Sequence, residues 1–548
     1  MASDATTTAP AAAAVKKPKL HGRAFYESIG SPKYIVAPMV DQSEFAWRML
    51  SRSFLPESQQ SDMLAYSPMF HARLFSESQK YFDQHFQPTK PGSDALFLDG
   101  NPAIDRPFFV QFCANDPQAL LNAAKRVTPY CDAVDLNLGC PQGIAKKGHY
   151  GSFLQEDQEL IHRLIKTLHE NLEIPVTAKI RILETKEATL KYAQNVLSAG
   201  ASILTVHGRL REQKGHLTGL ADWQMIRYLR DNLPPETVLF ANGNILQHED
   251  LEKCLAATGA DGVMSAEGNL SNPAIFAAPP PAGEEPRGFW RGRDGKGGWR
   301  VDEVFRRYLD ILHQYVLGVP PPPRRPLFVP GDDTAWMEEA IVLPGQGGGD
   351  GGKAKKRKGD VAKGNPALLA ANFISMQPHL FHLLRHFVSR HTDVRDALAR
   401  ARVGDLETYE AIYRMVEKKT AEGLLEYERT DGKSVEAEMP APLEKEEEDD
   451  PESSARAVRE CKRPWWVVQP IIRPLPKEAM AKGAIQLSKK EKKRVAAEME
   501  GKEEQGTTAK RAKEGAAAAA EKPSAETAAA TESLEKTTSY PSSELVSG

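Results

Sequence analysis

The residue best placed to do chemistry is Cys140, in the stretch Asp135-Leu136-Asn137-Leu138-Gly139-Cys140-Pro141. A thiol between Gly and Pro is poorly placed for core packing and well placed to face a ligand. Its ordinary pKa is about 8.5, so near neutral pH it holds a proton that it can donate. Buried cysteines are more often small hydrophobes, and that is the structural alternative. Cys140 is not alone, however. Polar, charged or turn-forming residues end six other short apolar runs: Pro38-Met39, Gln111, Lys179 with Arg181, His207 with Arg209, Asn242-Gly243-Asn244 and Ala266-Glu267-Gly268. Singly, Lys179 could snorkel, His207 could be a core histidine and Asn242 could simply make a turn. Together they are harder to explain structurally, because buried Lys and Arg cost several kcal/mol, roughly, unless paired.

The elements that must position them repeat along the chain. Apolar runs begin at Tyr34, Leu64, Phe108, Ala133, Pro175, Ile203, Thr237 and Asp261, spaced about 24 to 44 residues apart. Helical patterns lie between them, as at 157–170, 185–198 and 221–229. Eight strands alternating with helices over roughly 240 residues is the arithmetic of an α/β fold of the (β/α)8 TIM-barrel type. An open doubly wound sheet would carry GxGxxG after its first strand, and that motif is absent. In a barrel, all eight strand ends meet at one mouth.

The composition narrows the class. The chain has 548 residues, 71 Lys and Arg against 74 Asp and Glu, and a formal charge of −3, so any basic surface must be local. Five cysteines without a CxxC pair predict a reducing compartment, no disulfide framework and no structural zinc. No run of about 18 apolar residues and no signal-type segment is present, which predicts a soluble, non-secreted protein without a membrane partner.

The mouth so assembled suits a particular ligand. Asn242-Gly243-Asn244 and Ala266-Glu267-Gly268 end the last two strands, where barrels often take a phosphate. Lys179 and Arg181 add positive charge, Gln111 and Asn137 can pair with amide-like ring edges, and Pro38-Met39 offers apolar packing for a flat ring. A phosphate, a polar-edged ring and a proton-donating thiol together describe flavin mononucleotide (FMN) with a substrate over it. Reduced flavin can deliver hydride to a substrate stacked on it, and a neutral acid such as Cys140 can supply the matching proton. Lys179, His207 and Arg181 are the candidates to stabilise developing charge.

Six ordered motifs resemble the tRNA-dihydrouridine synthases: APM at 37–39, LNLGCPQ at 136–142, TAKIR at 177–181, LTVHGR at 204–209, ANGNI at 241–245 and DGVMSAEG at 261–268. QFCANDP at 111–117, KKGHYGSFLQ at 146–155 and HGRLREQKG at 207–215 are most similar to the eukaryotic branch acting on D-loop uridines 16 and 17. The resemblance implies FMN reduced by NADPH, tRNA as substrate and Cys140 as proton donor. It implies that Pro38, Met39, Val40, Gln111, Lys179, His207, Asn242, Gly243, Asn244, Ala266 and Glu267 hold FMN. The family's last FMN motif is often Gly-Arg, and Ala266-Glu267 stands in its place. The rivals are a catalytically silent tRNA-binding scaffold and a flavin oxidoreductase of free pyrimidines.

The expected organisation is a disordered tail (1–30), the barrel (31–280), a Pro/Gly linker (281–300), a helical tRNA-binding domain (301–428) with a flexible insert at about 319–364, and a mostly disordered charged tail (429–548). Helices are predicted at 301–317, 366–375, 379–391, 394–401 and 406–417. The basic strip Lys146, Lys147 and His149 next to Cys140 could hold RNA phosphates, or simply form a solvated loop. The same choice applies to the cationic side made by Arg385, Arg390, Arg395, Arg400 and Arg402 with His382 and His386. His379, His382 and His386 have no evident acidic partner, so no metal is expected. KAKKRK at 353–358 could be a nuclear import signal, and the cytoplasm, the nucleus or both are the expected compartments. A monomer is expected. The apolar island around Trp465-Trp466 should dock on a folded domain or on a partner.

Overall fold

The computed structural model describes residues 19–344, 370–440, 450 and 452–481. KAKKRK at 353–358 and most of the charged tail lie outside the described residues, as do the first four residues of the helix expected at 366–375.

Eight parallel strands close into a barrel. They are β1 (Tyr34–Val36), β2 (Met63–Tyr66), β4 (Phe108–Cys113), β5 (Ala133–Leu138), β6 (Val176–Arg181), β7 (Ala201–His207), β8 (Val238–Asn242) and β9 (Gly262–Ser265), while β3 (Phe70–His71) adds a short pairing beside the end of β4. Each barrel strand pairs with the next, and β1 pairs with both β2 and β9, which closes the ring. Strands β4 and β5 are buried along their whole length, as continuous apolar runs in a parallel sheet covered by helices require.

The intervening helices begin where the sequence offers a cap. Asp157, Thr185 and Asp222 accept hydrogen bonds from the backbone N–H of Leu160, Ala188 and Met225, starting helices Gln158–Asn171, Lys186–Ser198 and Trp223–Asn232. Their apolar faces cover the barrel, with Leu164, Ile165 and Leu168 buried on the first of them.

Four differences from the expected organisation stand out. Helix Gly22–Ser28 lies within the segment read as a tail, its Phe25 and Tyr26 buried. The segment read as a linker forms an antiparallel hairpin, β10 (Phe289–Arg291) with β11 (Gly297–Trp299). The helix expected at 379–391 is broken at Leu384 into Met376–Leu383 and Arg385–Arg390. The helix expected to stop at 417 continues as Leu406–Arg429.

The described residues through Lys214 and from Thr218 to Arg473 form one compact unit, holding both the barrel and the helices after it. Gly215–Leu217 and the described residues from 474 form a second, which contains helix Pro476–Ala481. Within the first unit the Trp465-Trp466 island docks on this chain's own helices. Trp465 meets Phe387 and His391 at ring distances of 5.2 and 4.5 Å, and Trp466 meets Trp290 at 6.1 Å. Gly423 makes the room: a Cβ there would stand 2.7 Å from the Trp465 ring and 2.8 Å from that of Trp466. Among the described residues no helix is long and apolar enough to cross a membrane.

Candidate active site

The strand register brings the chemistry-bearing residues side by side. Asn137 lies opposite Lys179, Arg181 opposite His207, and His207 opposite Asn242. These are neighbouring strand tips on one rim of the barrel.

Cys140 is held by the turn that follows β5. Its N–H donates to Asn137 Oδ1 at 2.9 Å, and its carbonyl accepts from the N–H and hydroxyl of Ser152. Gly151, at φ +65°, passes so close that a Cβ would sit 2.8 Å from the Cys140 carbonyl oxygen. A side chain at 151 would therefore displace the thiol. Partial burial raises the Cys140 pKa, and the nearby cations Arg181, Lys179 and Lys214 only partly offset this. The group at the mouth is a neutral thiol at physiological pH, with cations placed to receive the thiolate once its proton leaves.

Gln111 and Asn137, expected to meet a ring edge, are engaged internally. Gln111 is 0% exposed; its Nε2 donates to Asp135 Oδ2 at 2.7 Å and its Oε1 accepts from Asn137 Nδ2 at 2.8 Å. Asp135 also accepts from Thr177 Oγ1 at 2.6 Å. The resulting series Thr177–Asp135–Gln111–Asn137 ends on the Cys140 backbone and fixes its turn. Burial pushes the Asp135 carboxyl up to about 6 despite hydrogen bonds from Thr177 and Gln111 and the charge of Lys179. Asp135 was not singled out in the sequence, although its place two residues before Asn137 on a fully buried strand was a usable signal.

Arg181 is likewise occupied by hydrogen bonds, so it positions the Cys140 turn while its charge stays beside the thiol. Its Nε donates to the Gly139 carbonyl at 2.8 Å and its Nη1 to the carbonyls of Leu210 and Gln213. It therefore pins the Cys140 turn to the loop after β7. Lys179 contrasts with it. Its ammonium makes no hydrogen bond among the described residues, and burial followed by the Arg181 charge brings its pKa down to about 8.

His207 is a neutral donor. Burial, then the cations Arg181, Lys179 and Arg209, depress its pKa well below the ordinary value. Arg209 Nη1 lies 3.1 Å from His207 Nε2. A guanidinium cannot accept, so Nε2 is the acceptor and Nδ1 carries the ring proton. Asn242 ties β8 to β9 through Nδ2 and the Met264 carbonyl at 2.9 Å. Asn244, at φ +61°, is fixed by Ala221 on both its amide atoms and by Arg209. Gly243, at φ +119°, leaves no room for a Cβ against Ala221.

On the same rim, just after β1, Met39 is nearly buried, whereas Val40 stands 45% exposed at the edge. Ala266 precedes helix Glu267–Ser271, and the Glu267 carboxylate is engaged by Arg473, with Nη1 and Nη2 at 2.8 and 2.6 Å. No signal in the sequence connected these two residues, which lie 206 positions apart.

Lys146 and Lys147 close the short helix Gly143–Gly148 and His149 caps it at φ +50°; all three are exposed beside Cys140. In the helical region Arg385 is exposed, with no ion pair among the described residues. Arg390, expected to contact RNA, is engaged by Glu438 and by the Trp465 ring, 5.5 Å from its guanidinium carbon. Arg395 pairs with Asp396 at 3.0 Å. His382 is not cationic: burial, then its charged neighbours, lower its pKa to about 4. His379 does have an acidic partner, contrary to expectation, since its Nε2 lies 3.0 Å from both Glu44 carboxylate oxygens. Among the described residues no group of three or more His, Cys, Asp or Glu is arranged to hold a metal ion.

Comparison with known proteins adds to this geometry. Residues 35–287 match the family described as Dihydrouridine synthase (Dus). The chain is 43% identical over 464 residues to the tRNA-dihydrouridine(16/17) synthase [NAD(P)(+)] of Schizosaccharomyces pombe, covering 83% of this chain and 92% of that one. It is 47% identical over 406 residues to the Saccharomyces cerevisiae protein of the same name, covering 74% and 78%. Identity to the human tRNA-dihydrouridine(20a/20b) synthase [NAD(P)+]-like protein is 35% over 246 residues, covering 44% and 70%.

Proposed function

This chain belongs to the dihydrouridine synthase family, and from that premise we propose that it reduces uridine to 5,6-dihydrouridine in the D-loop of tRNA, at positions 16 and 17. We further propose FMN as its cofactor and NADPH as its reductant. The choice of positions follows the higher identity to relatives named for 16/17 than to one named for 20a/20b. The single observation that carries the reading is the neutral thiol at a barrel mouth, flanked by a neutral imidazole and by an ammonium without a hydrogen-bond partner among the described residues.

The residues present suit the cofactor. Lys179, a half-buried cation without an acceptor among the described residues, calls for an acceptor-rich ligand edge. His207 Nδ1–H offers a second donor, and Pro38 and Met39 supply an apolar wall. FMN, when bound and reduced, supplies the hydride that reaches C6 of the uracil. Cys140 gives its proton to C5 from a turn held by Asn137 and Ser152, and the resulting thiolate lies in the field of Lys179, Arg181 and Lys214. It regains a proton from solvent. A uracil reaches this mouth only by leaving its stack, which costs least in a loop, and Lys146, Lys147 and His149 stand where flanking phosphates would pass.

The test is Cys140→Ala. It should retain a yellow, flavin-loaded protein and lose about 10²- to 10⁴-fold in dihydrouridine formation on D-loop substrate. Wild-type turnover in that variant, or a colourless wild-type protein that merely binds tRNA, would overturn the reading. Mapping dihydrouridine in tRNA from cells lacking the protein decides the position.

A further inference from the structure

The last ordered stretch of the first unit, 462–473, runs from the docked tryptophans to the barrel mouth. Arg463 Nε donates to the Gly297 carbonyl, Val468 N–H to that of Trp299, and the Trp466 carbonyl accepts from Val301 N–H. Farther along, the Pro470 carbonyl lies 3.3 Å from His386 Nε2. The stretch then places Arg473 on Glu267 in a bidentate ion pair, each side chain about one-third exposed.

That location poses an electrostatic problem. Glu267 follows the last barrel strand, where the loops after the final two strands of such barrels often take a phosphate. A bare carboxylate there would repel an anion. Arg473 cancels it, and Arg209, which feels the charges of both Glu267 and Arg473, leaves the group net positive. The donors differ in availability. Arg209 spends its Nε, Nη1 and Nη2 on Gly219, His207 and Asn244. Arg473 meets Glu267 end-on through Nη1 and Nη2, and its Nε–H has no acceptor among the described residues. A guanidinium fixed by a carboxylate on one edge presents its other edge for a second bidentate contact, a geometry suited to phosphate.

Resting on the FMN reading above, we infer that Arg473, delivered from the far end of the chain, is a binding residue for the phosphate monoester of the flavin nucleotide, oriented by Glu267. The tryptophan-anchored stretch is thereby part of the cofactor site.

The experiment titrates flavin-stripped, full-length protein with FMN and with riboflavin, which lacks the phosphate, following flavin fluorescence. Wild-type protein should bind FMN far more tightly than riboflavin. Arg473→Gln should weaken FMN about tenfold and leave riboflavin unchanged, so riboflavin affinity reports that the mouth is intact; Arg473→Lys should recover part of the loss. The double variant Glu267→Gln/Arg473→Gln separates contact from neutralisation. It should remain as weak for FMN as Arg473→Gln, whereas recovery to wild-type affinity would overturn the phosphate contact. An unchanged ratio of FMN to riboflavin affinity in Arg473→Gln would overturn it too. If wild-type protein bound neither flavin, the FMN reading itself would fail.

Discussion

Two sets of cations are drawn into this barrel, a fully buried one on helix Phe45–Arg52 outside the strands and a buried to half-buried one at the strand tips. Arg48, fully buried, meets Asp105 through Nε at 3.0 Å and Nη2 at 2.5 Å, Asp99 at 2.8 Å and the Ser43 carbonyl at 2.8 Å. Its neighbour Arg52 caps the carbonyls of Gln60, Met63 and Pro107. Lys179 at the mouth has no such partners among the described residues. Burial alone therefore does not mark function: the fold satisfies Arg48 and all but the Nε of Arg52, and the inner cation is left for something the fold does not supply. Arg181, between the two cases, shows that a charge at a strand tip can also be spent on holding a turn.

The comparison can be broken most severely through Arg48. Arg48→Met leaves Asp99 and Asp105 without their cation, and unfolding by denaturant should show a loss of about 3–5 kcal/mol. Lys179→Met should do the reverse, costing little stability and most of the flavin affinity, as flavin fluorescence titration would show. Equal effects of the two substitutions on stability would erase the distinction.

The titration of Lys179 sharpens it further. Its pKa falls from an ordinary 10.5 to about 8 in the folded protein, so between those values the unfolded chain binds more protons there than the folded one. Stability then rises with pH across that window. The cost of burying the ammonium, complete below about pH 8, is relieved toward pH 10.5. The stability of Lys179→Met relative to wild type should accordingly be greatest near neutral pH and shrink above pH 8 in chemical denaturation of the apo protein.

The smallest effect is expected in the helical region, where the same rule of partners applies at the surface. Arg385→Ala should weaken tRNA binding modestly and lower the magnitude of its salt dependence by about one, as loss of a single phosphate contact would. Arg390→Ala, which loses Glu438 and Trp465 instead, should leave that salt dependence unchanged. Binding isotherms at several salt concentrations distinguish the two.

Much of the site was legible because strand ends converge whatever the intervening helices are. The order of apolar runs was enough to gather Cys140, Lys179, His207 and Asn242 at one mouth. What side chains do there was less legible. Gln111, Asn137 and Arg181 looked like ligand contacts, and their hydrogen bonds instead run to Asp135, the Cys140 turn and three loop carbonyls. In the helical region, composition suggested a cationic face, but His382 is uncharged and Arg390 is neutralised.

Periodicity, caps and turn residues are local properties, and they determined by themselves the barrel strands, the starts of its helices and the position of the thiol after β5. Partnership between distant residues is not local. The pairing of Glu267 with Arg473, of Glu44 with His379, and of the Trp465-Trp466 island with Gly423 was decided only when the chain closed. Each depends on distances between segments tens to hundreds of residues apart, which residue type and spacing do not encode.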